Sequence, residues 1–128
     1  MYIFAESASD RPLEAVVHLP KPVNLGDRTW YVALMESTLQ HEGSKTLRIH
    51  ISADCVGVSI LNGLCTGLLR IVDIEPRSSG SVEYVNPYPI KVNQPVLNAI
   101  RVTLTSPDQG DLTTIKGFRC VLRLSDDE

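Results

Sequence analysis

The histidines, cysteines and glycines of this sequence are not spaced as reactive groups usually are. His18, His41 and His50 form neither an H-x-H nor an H-E-x-x-H pattern, so a zinc site has no basis in their spacing. All three read as surface side chains, His18 and His50 on the polar rows of strands and His41 in a loop. The cysteines are Cys55, Cys65 and Cys120, an odd number with no C-x-x-C pair. They read as reduced, small hydrophobic residues, and nothing in the sequence indicates a Cys55–Cys65 bridge. Cys65 is the cysteine most exposed to chemistry, because it follows Asn62-Gly63-Leu64 in an expected loop. Gly57, Gly63 and Gly67 lie in a strand-rich stretch with no helix after it, which excludes a phosphate cradle. Asp108 and Asp111 flank Gly110 without the ligand pattern of a calcium loop. No catalytic residue, no metal and no cofactor is expected.

Other shortages narrow the partners. The 12 Lys and Arg residues are scattered, and the formal net charge is -3. That argues against general nucleic-acid binding, which needs clustered cations. No apolar run approaches the roughly 20 residues of a membrane span, so no membrane partner is expected. The start, Met1-Tyr2-Ile3-Phe4-Ala5-Glu6, lacks the basic flank and long apolar core of a signal peptide, which favours an intracellular origin. No window of a dozen residues repeats at 3.6. A turn of helix is expected at most near residues 37–40 or 94–98.

What the sequence has is period two. Leu13, Ala15, Val17 and Leu19 alternate with Glu14, Val16 and His18, and Trp30, Val32 and Leu34 alternate with Tyr31 and Ala33. Leu47, Ile49 and Ile51 form a third such row. Ile100, Val102 and Leu104 form a fourth, and Phe118, Cys120, Leu122 and Leu124 a fifth. Alternation puts one row on a core and the other toward water. Strands are expected near residues 2–5, 13–19, 29–36, 46–52, 55–60, 68–74, 81–85 with a short piece at 90–92, 97–105 and 117–124. Between them stand turn signals: Pro20-Lys21-Pro22, Asn24-Leu25-Gly26-Asp27, Glu42-Gly43-Ser44, Asn62-Gly63, Arg77-Ser78-Ser79-Gly80, Pro87-Tyr88-Pro89 and Pro107-Asp108-Gln109-Gly110. With 128 residues there is room for one domain. The pattern predicts a single all-β domain over residues 1–128, an antiparallel, jelly-roll-like sandwich of about eight strands. Residues 1–10 are a candidate arm and residues 125–128 an acidic tail. Trp30, Leu34, Ile49, Ile100, Val102 and Leu122 are expected in the core.

One strand departs from the rule. Leu68-Leu69-Arg70-Ile71-Val72-Asp73-Ile74 is apolar on both faces apart from Arg70 and Asp73. A small sandwich usually wets one face of each strand, so this run is either a covered central strand or a subunit interface. Pro87, Pro89 and Pro95 crowd another region, and proline in a sheet belongs at an edge. Tyr88, between two prolines, is either a rigid loop tip or a contact residue. The candidate interface is therefore Leu68, Leu69, Arg70, Val72, Ile74, Tyr88 and Pro89.

Two blocks carry a resemblance. The first runs Leu19-Pro20-Lys21-Pro22-Val23-Asn24-Leu25-Gly26-Asp27-Arg28-Thr29-Trp30-Tyr31-Val32-Ala33-Leu34-Met35-Glu36. The second runs from Leu68-Leu69-Arg70-Ile71-Val72 through Tyr88 and Pro89 to Ile100-Arg101-Val102-Thr103-Leu104, Asp108-Gln109-Gly110 and Val121-Leu122-Arg123-Leu124. Their order and spacing resemble a β-rich domain of minor capsid or vertex-type jelly-roll proteins of Polinton-like and adintovirus-like elements. The resemblance implies a virion or virus-derived structural protein without catalytic residues. It implies a homo-oligomer, a trimer or pentamer, with other capsid proteins as further partners. The place implied is the virion, or the cytoplasm or nucleus of the host cell before assembly. The alternative is a monomeric sandwich that binds a peptide or glycan through its loops. An enzyme using Cys65 or a histidine cluster is the third reading.

Overall fold

Each period-two row becomes a strand. The computed structural model describes residues 1–26, 28–56, 59–61, 64–77, 81–106 and 112–126, with strand pairing alone for 59–61 and 64–66. The strands are β1 (Tyr2–Glu6), β2 (Glu14–Asn24), β3 (Trp30–His41), β4 (Leu47–Ala53), β5 (Ser59–Leu61), β6 (Leu64–Thr66), β7 (Leu68–Ile74), β8 (Ser81–Glu83), β9 (Ile90–Lys91), β10 (Val96–Thr105) and β11 (Ile115–Asp126). No helix occurs among the described residues. The expected helical turns are overturned: residues 37–40 continue β3 and residues 96–98 begin β10, because cross-strand pairing there leaves no backbone groups for a helix.

The pairings are nested. β1 pairs with β11, β2 with β10, β3 with β8 and β9, and β4 with β7, all antiparallel. Rolled up, this long hairpin gives two facing sheets, in the orders β1-β11-β3-β8 (with β9 also on β3) and β2-β10-β4-β7. That is the jelly-roll topology. β5 and β6 form a small hairpin between β4 and β7. The inner rows of the two sheets meet: Val32, Leu34, Leu122 and Leu124 from one, and Ile49, Ile51, Ile100 and Val102 from the other, all buried.

Local irregularities decide which residues face in. Leu122 pairs with Leu34 and Val121 with Glu36, so Met35 is an extra residue in β3. The inward row therefore changes from Val32 and Leu34 to Ser37, Leu39 and His41. This corrects the reading of His41 as a loop residue: it ends β3 and is buried. Its Nδ1 accepts from the Gly43 N–H (3.3 Å) and the Thr114 hydroxyl (3.0 Å), and its Nε2–H donates to the Lys45 carbonyl (2.7 Å). His50 is also buried, although it stands on the outer row, between its register neighbours Ile71 and Thr105. His18 is exposed, as expected. Trp30 is half-buried, because it opens β3 and turns its indole N–H to the Leu25 carbonyl (3.0 Å).

Pro20-Lys21-Pro22 lies inside β2, not in a turn between strands. The register jumps from His18↔Ala99 to Val23↔Leu97, so residues 19–22 bulge opposite Asn98. β2 is an edge strand, where proline's missing N–H costs nothing. The turn after β2 holds Gly26 at φ 58°, with its N–H donated to Asn24 Oδ1. The turn signals at Asn62-Gly63, Ser78-Ser79-Gly80 and Pro107-Asp108-Gln109-Gly110, together with Gly57, Asp27, Asp111, the side chain of Cys65 and the tail end Asp127-Glu128, lie outside the described residues.

Two substitutions test this packing. Leu122→Ala should cost roughly 2–5 kcal/mol in denaturant unfolding, as for a fully packed site. A change within about 0.5 kcal/mol would place Leu122 at the surface. Gly67 lies so close to the end of β4 that a Cβ would stand 2.1 Å from the Ala53 carbonyl oxygen. Gly67→Ala should therefore cost roughly 1–3 kcal/mol through overpacking. A neutral effect would contradict the close approach.

Candidate functional site

The two sheets end together on one side of the sandwich. β7 is the last strand of the four-stranded sheet, and β8 the last of the other. Between them runs a groove of about 350 Å³, walled by Arg70, Ile71, Val72, Ile74 and Asp73 on one side and by Ser37, Leu39, Val82 and Tyr84 on the other.

Tyr84 closes the inner end of this groove. Its N–H bonds the Met35 carbonyl, its ring is buried, and its hydroxyl bonds Ser37 Oγ at 2.6 Å. Arg70 reaches from the opposite sheet and lays its guanidinium carbon 3.9 Å from the ring centroid. The contact ties the two edges together with a cation–π interaction. Burial pushes the Tyr84 hydroxyl above its ordinary range, against the opposing pull of the Ser37 bond and the Arg70 charge. On the outer face, Arg48 Nε donates to Asp73 (2.9 Å), and that bond holds the Asp73 carboxyl below its usual range.

The seven expected interface residues separate into groups. Register puts Arg70 opposite Ile51, Val72 opposite Ile49 and Ile74 opposite Leu47, so these three point inward. Leu69 is an extra residue in β7, since Arg70 pairs with Ile51 and Leu68 with Ser52. The bulge turns Leu69 into the core as well. Leu69 and Ile74 are buried, and Leu68, Arg70 and Val72 are half-buried. The apparent two-sided apolarity is thus largely the signature of a bulge. Val72 belongs to the core, so a charge there would test folding and not association. Tyr88 and Pro89 are exposed in the loop joining β8 to β9, along the sheet edge that the prolines predicted.

The apolar residues that do reach solvent here are others. Ile71 is 47% exposed on the outer face of β7, Val82 is 52% exposed across the groove, and Val85 is 90% exposed beyond it. Ile71 stood within the apolar run, but choosing it required the register. Val82 was hidden in a short strand. Away from this side, Phe4 is 73% exposed beside a depression that includes Glu36 and Arg119.

Among the described residues the thiols are elsewhere and enclosed. Cys55 and Cys120 are free and buried, and burial pushes both thiols from the ordinary 9.0 up to about 12. Among the described residues no three His, Cys, Asp or Glu side chains are grouped to hold a metal.

The raised thiols and Tyr84 fix a pH dependence. The folded state keeps these groups protonated where the unfolded chain releases their protons. Their contribution is complete below the ordinary thiol range and is lost as pH rises toward about 12. The denaturant midpoint should fall between about pH 8 and about pH 10.5, and the Cys55→Ala, Cys120→Ala double variant should blunt the fall. An unchanged midpoint, or an undiminished fall in the variant, would contradict the burial of these thiols.

No family model, curated protein or solved structure matches the chain, so the jelly-roll topology and the β7–β8 side are what the protein offers to a functional argument.

Proposed function

We propose that the chain is a non-catalytic structural assembly protein, a jelly-roll subunit of a virion or virus-derived capsid or vertex that associates with copies of itself. A jelly roll alone does not select this role, because the architecture also serves lectins and enzymes. The observation that supports it is the β7 edge, which pairs with no further strand among the described residues, with Ile71 and Val82 exposed on either side of one groove. Bare edges with apolar flanks invite pairing with another chain, and soluble monomers generally protect them.

Self-association is the simplest use of such an edge, since oligomers of identical chains are the commonest assemblies. The sequence resemblance supports the virion setting, with other capsid proteins as further partners. The scattered cations and net charge of -3 support a protein that does not bind nucleic acid in general.

The molar mass in solution tests this reading. Light scattering at tens of micromolar should give a multiple of 14.1 kDa. A monomer at that concentration would overturn it, and the exposed loop bearing Val85 and Tyr88 would then favour a module that binds a peptide or glycan.

A further inference from the structure

The outer face of the β1-β11-β3-β8 sheet is not flat. Two adjoining depressions of about 520 Å³ and about 390 Å³ lie on it. They share Glu6, Thr38 and Arg119 as walls, so together they form one trough. The pairing explains its lining. Glu6 is opposite Arg119, and Arg119 is opposite Thr38, which sets one outward residue of each strand in a single row. The neighbouring row runs Phe4, Val121 and Glu36 by the same pairings.

Gln40 and Gly117 are opposite each other at the far end, beside residues 7–9. Ser7 ties that segment down: its N–H bonds the Phe118 carbonyl (2.9 Å), and its Oγ accepts from the Phe118 N–H (2.9 Å). A Cβ at Gly117 would meet only ordinary contacts, 3.6 Å from Ser7 Oγ and 3.7 Å from Gln40 Oε1. The packing there does not demand glycine, so the effect of glycine is to keep the floor of the trough open.

Three features of the lining limit what fits. The charges balance, with Glu6 and Glu36 set against Lys116 and Arg119. A phosphate or sulfate needs clustered cations, and here it would meet both signs. Hydrogen-bonding capacity is unspent: among the described residues the side chains of Glu6, Glu36, Gln40 and Arg119 make no hydrogen bond or ion pair. The carboxylates only accept, Lys116 and Arg119 only donate, and Thr38 and Gln40 do both. A ligand rich in hydroxyls, each a donor and an acceptor, can use all of them. Apolar surface centres on the exposed ring of Phe4, with Val121 beside it. A protein partner would call for a wider apolar centre with few charges.

We infer that this trough binds an uncharged oligosaccharide, with the C–H face of one sugar on the Phe4 ring and its hydroxyls shared among Glu6, Glu36, Gln40 and Arg119. Most of these groups stand on paired strands, so they hold their spacing before the ligand arrives. The site is on the other sheet from β7, and it neither needs nor forbids the self-association proposed above.

A printed array of neutral, sialylated and sulfated oligosaccharides is the first probe, and titration calorimetry with the strongest neutral binder is the second. The protein should retain neutral oligosaccharides in preference to acidic ones. Arg119→Ala should weaken binding roughly tenfold or more, the loss that follows one hydrogen bond to a charged group. Phe4→Ser should weaken it as well, and so should Gly117→Gln, which fills the floor without changing charge. Each variant should keep a strand-dominated far-ultraviolet spectrum, because Phe4 and Arg119 are exposed and a Cβ at Gly117 has room. Val85→Ser, in the exposed loop after β8, should bind as the wild type does. Retention of no neutral oligosaccharide, retention of acidic ones alone, or binding that survives both Phe4→Ser and Arg119→Ala overturns the site. Loss of binding in Val85→Ser would move recognition to the loop and overturn it too. Molar mass is a separate readout, so a failure here leaves self-association standing.

Discussion

β3 and β11 pair along nearly their whole lengths, from Trp30↔Asp126 to His41↔Ile115. This pairing spans the longest strands and lies at the centre of its sheet. Its bulge at Met35 decides what the second half of β3 sends inward. Were the same sequence to run on as a regular strand, Glu36, Thr38 and Gln40 would face the core in place of Ser37, Leu39 and His41. A one-residue slip of this kind exchanges the two faces of a strand. Ser37, once inward, meets the Tyr84 hydroxyl. Tyr84 in turn provides the ring on which Arg70 of the other sheet rests. One bulge near the middle of β3 therefore shapes the side where the two sheets end.

The same nesting explains why that side is special. β4 and β7 are the innermost pair of the rolled hairpin, and β1 and β11 the outermost. Of the innermost pair, β7 ends its sheet at one edge of the sandwich, facing the short strand β8 across a groove. Prolines interrupt β2 on the opposite side and flank β9 on this one, whereas among the described residues β7 ends its sheet without proline or a further strand. Protection by proline, charge and bulge is how sheet proteins avoid unwanted pairing. An edge left without it is consistent with a wanted pairing.

The architecture was legible in the sequence because period two survives at almost every strand, and the inward rows of Ile49, Ile100, Val102 and Leu122 are those observed. Two of the misreadings share one cause, extra residues. A bulge shifts the face without changing composition, so His41 looked like a loop residue and Leu68–Ile74 looked apolar on both faces. The prolines of β2 looked like a turn because proline's exclusion from sheets does not apply at an edge. His50 stood on an outer row yet is buried, and row position alone does not carry that information. Register also decides that Ile71, not Val72, is the residue available to a partner, and no local pattern carries that information.

Self-association, as proposed, would cover the backbone edge of β7 with a second copy. Hydrogen exchange followed as a function of protein concentration reads that edge directly, because outward-facing amides are protected only when paired. Exchange in the segment from Leu68 to Ile74 should slow as concentration rises, while exchange in β1 stays constant. If exchange in β7 does not depend on concentration, the edge is free in solution and the claim is wrong.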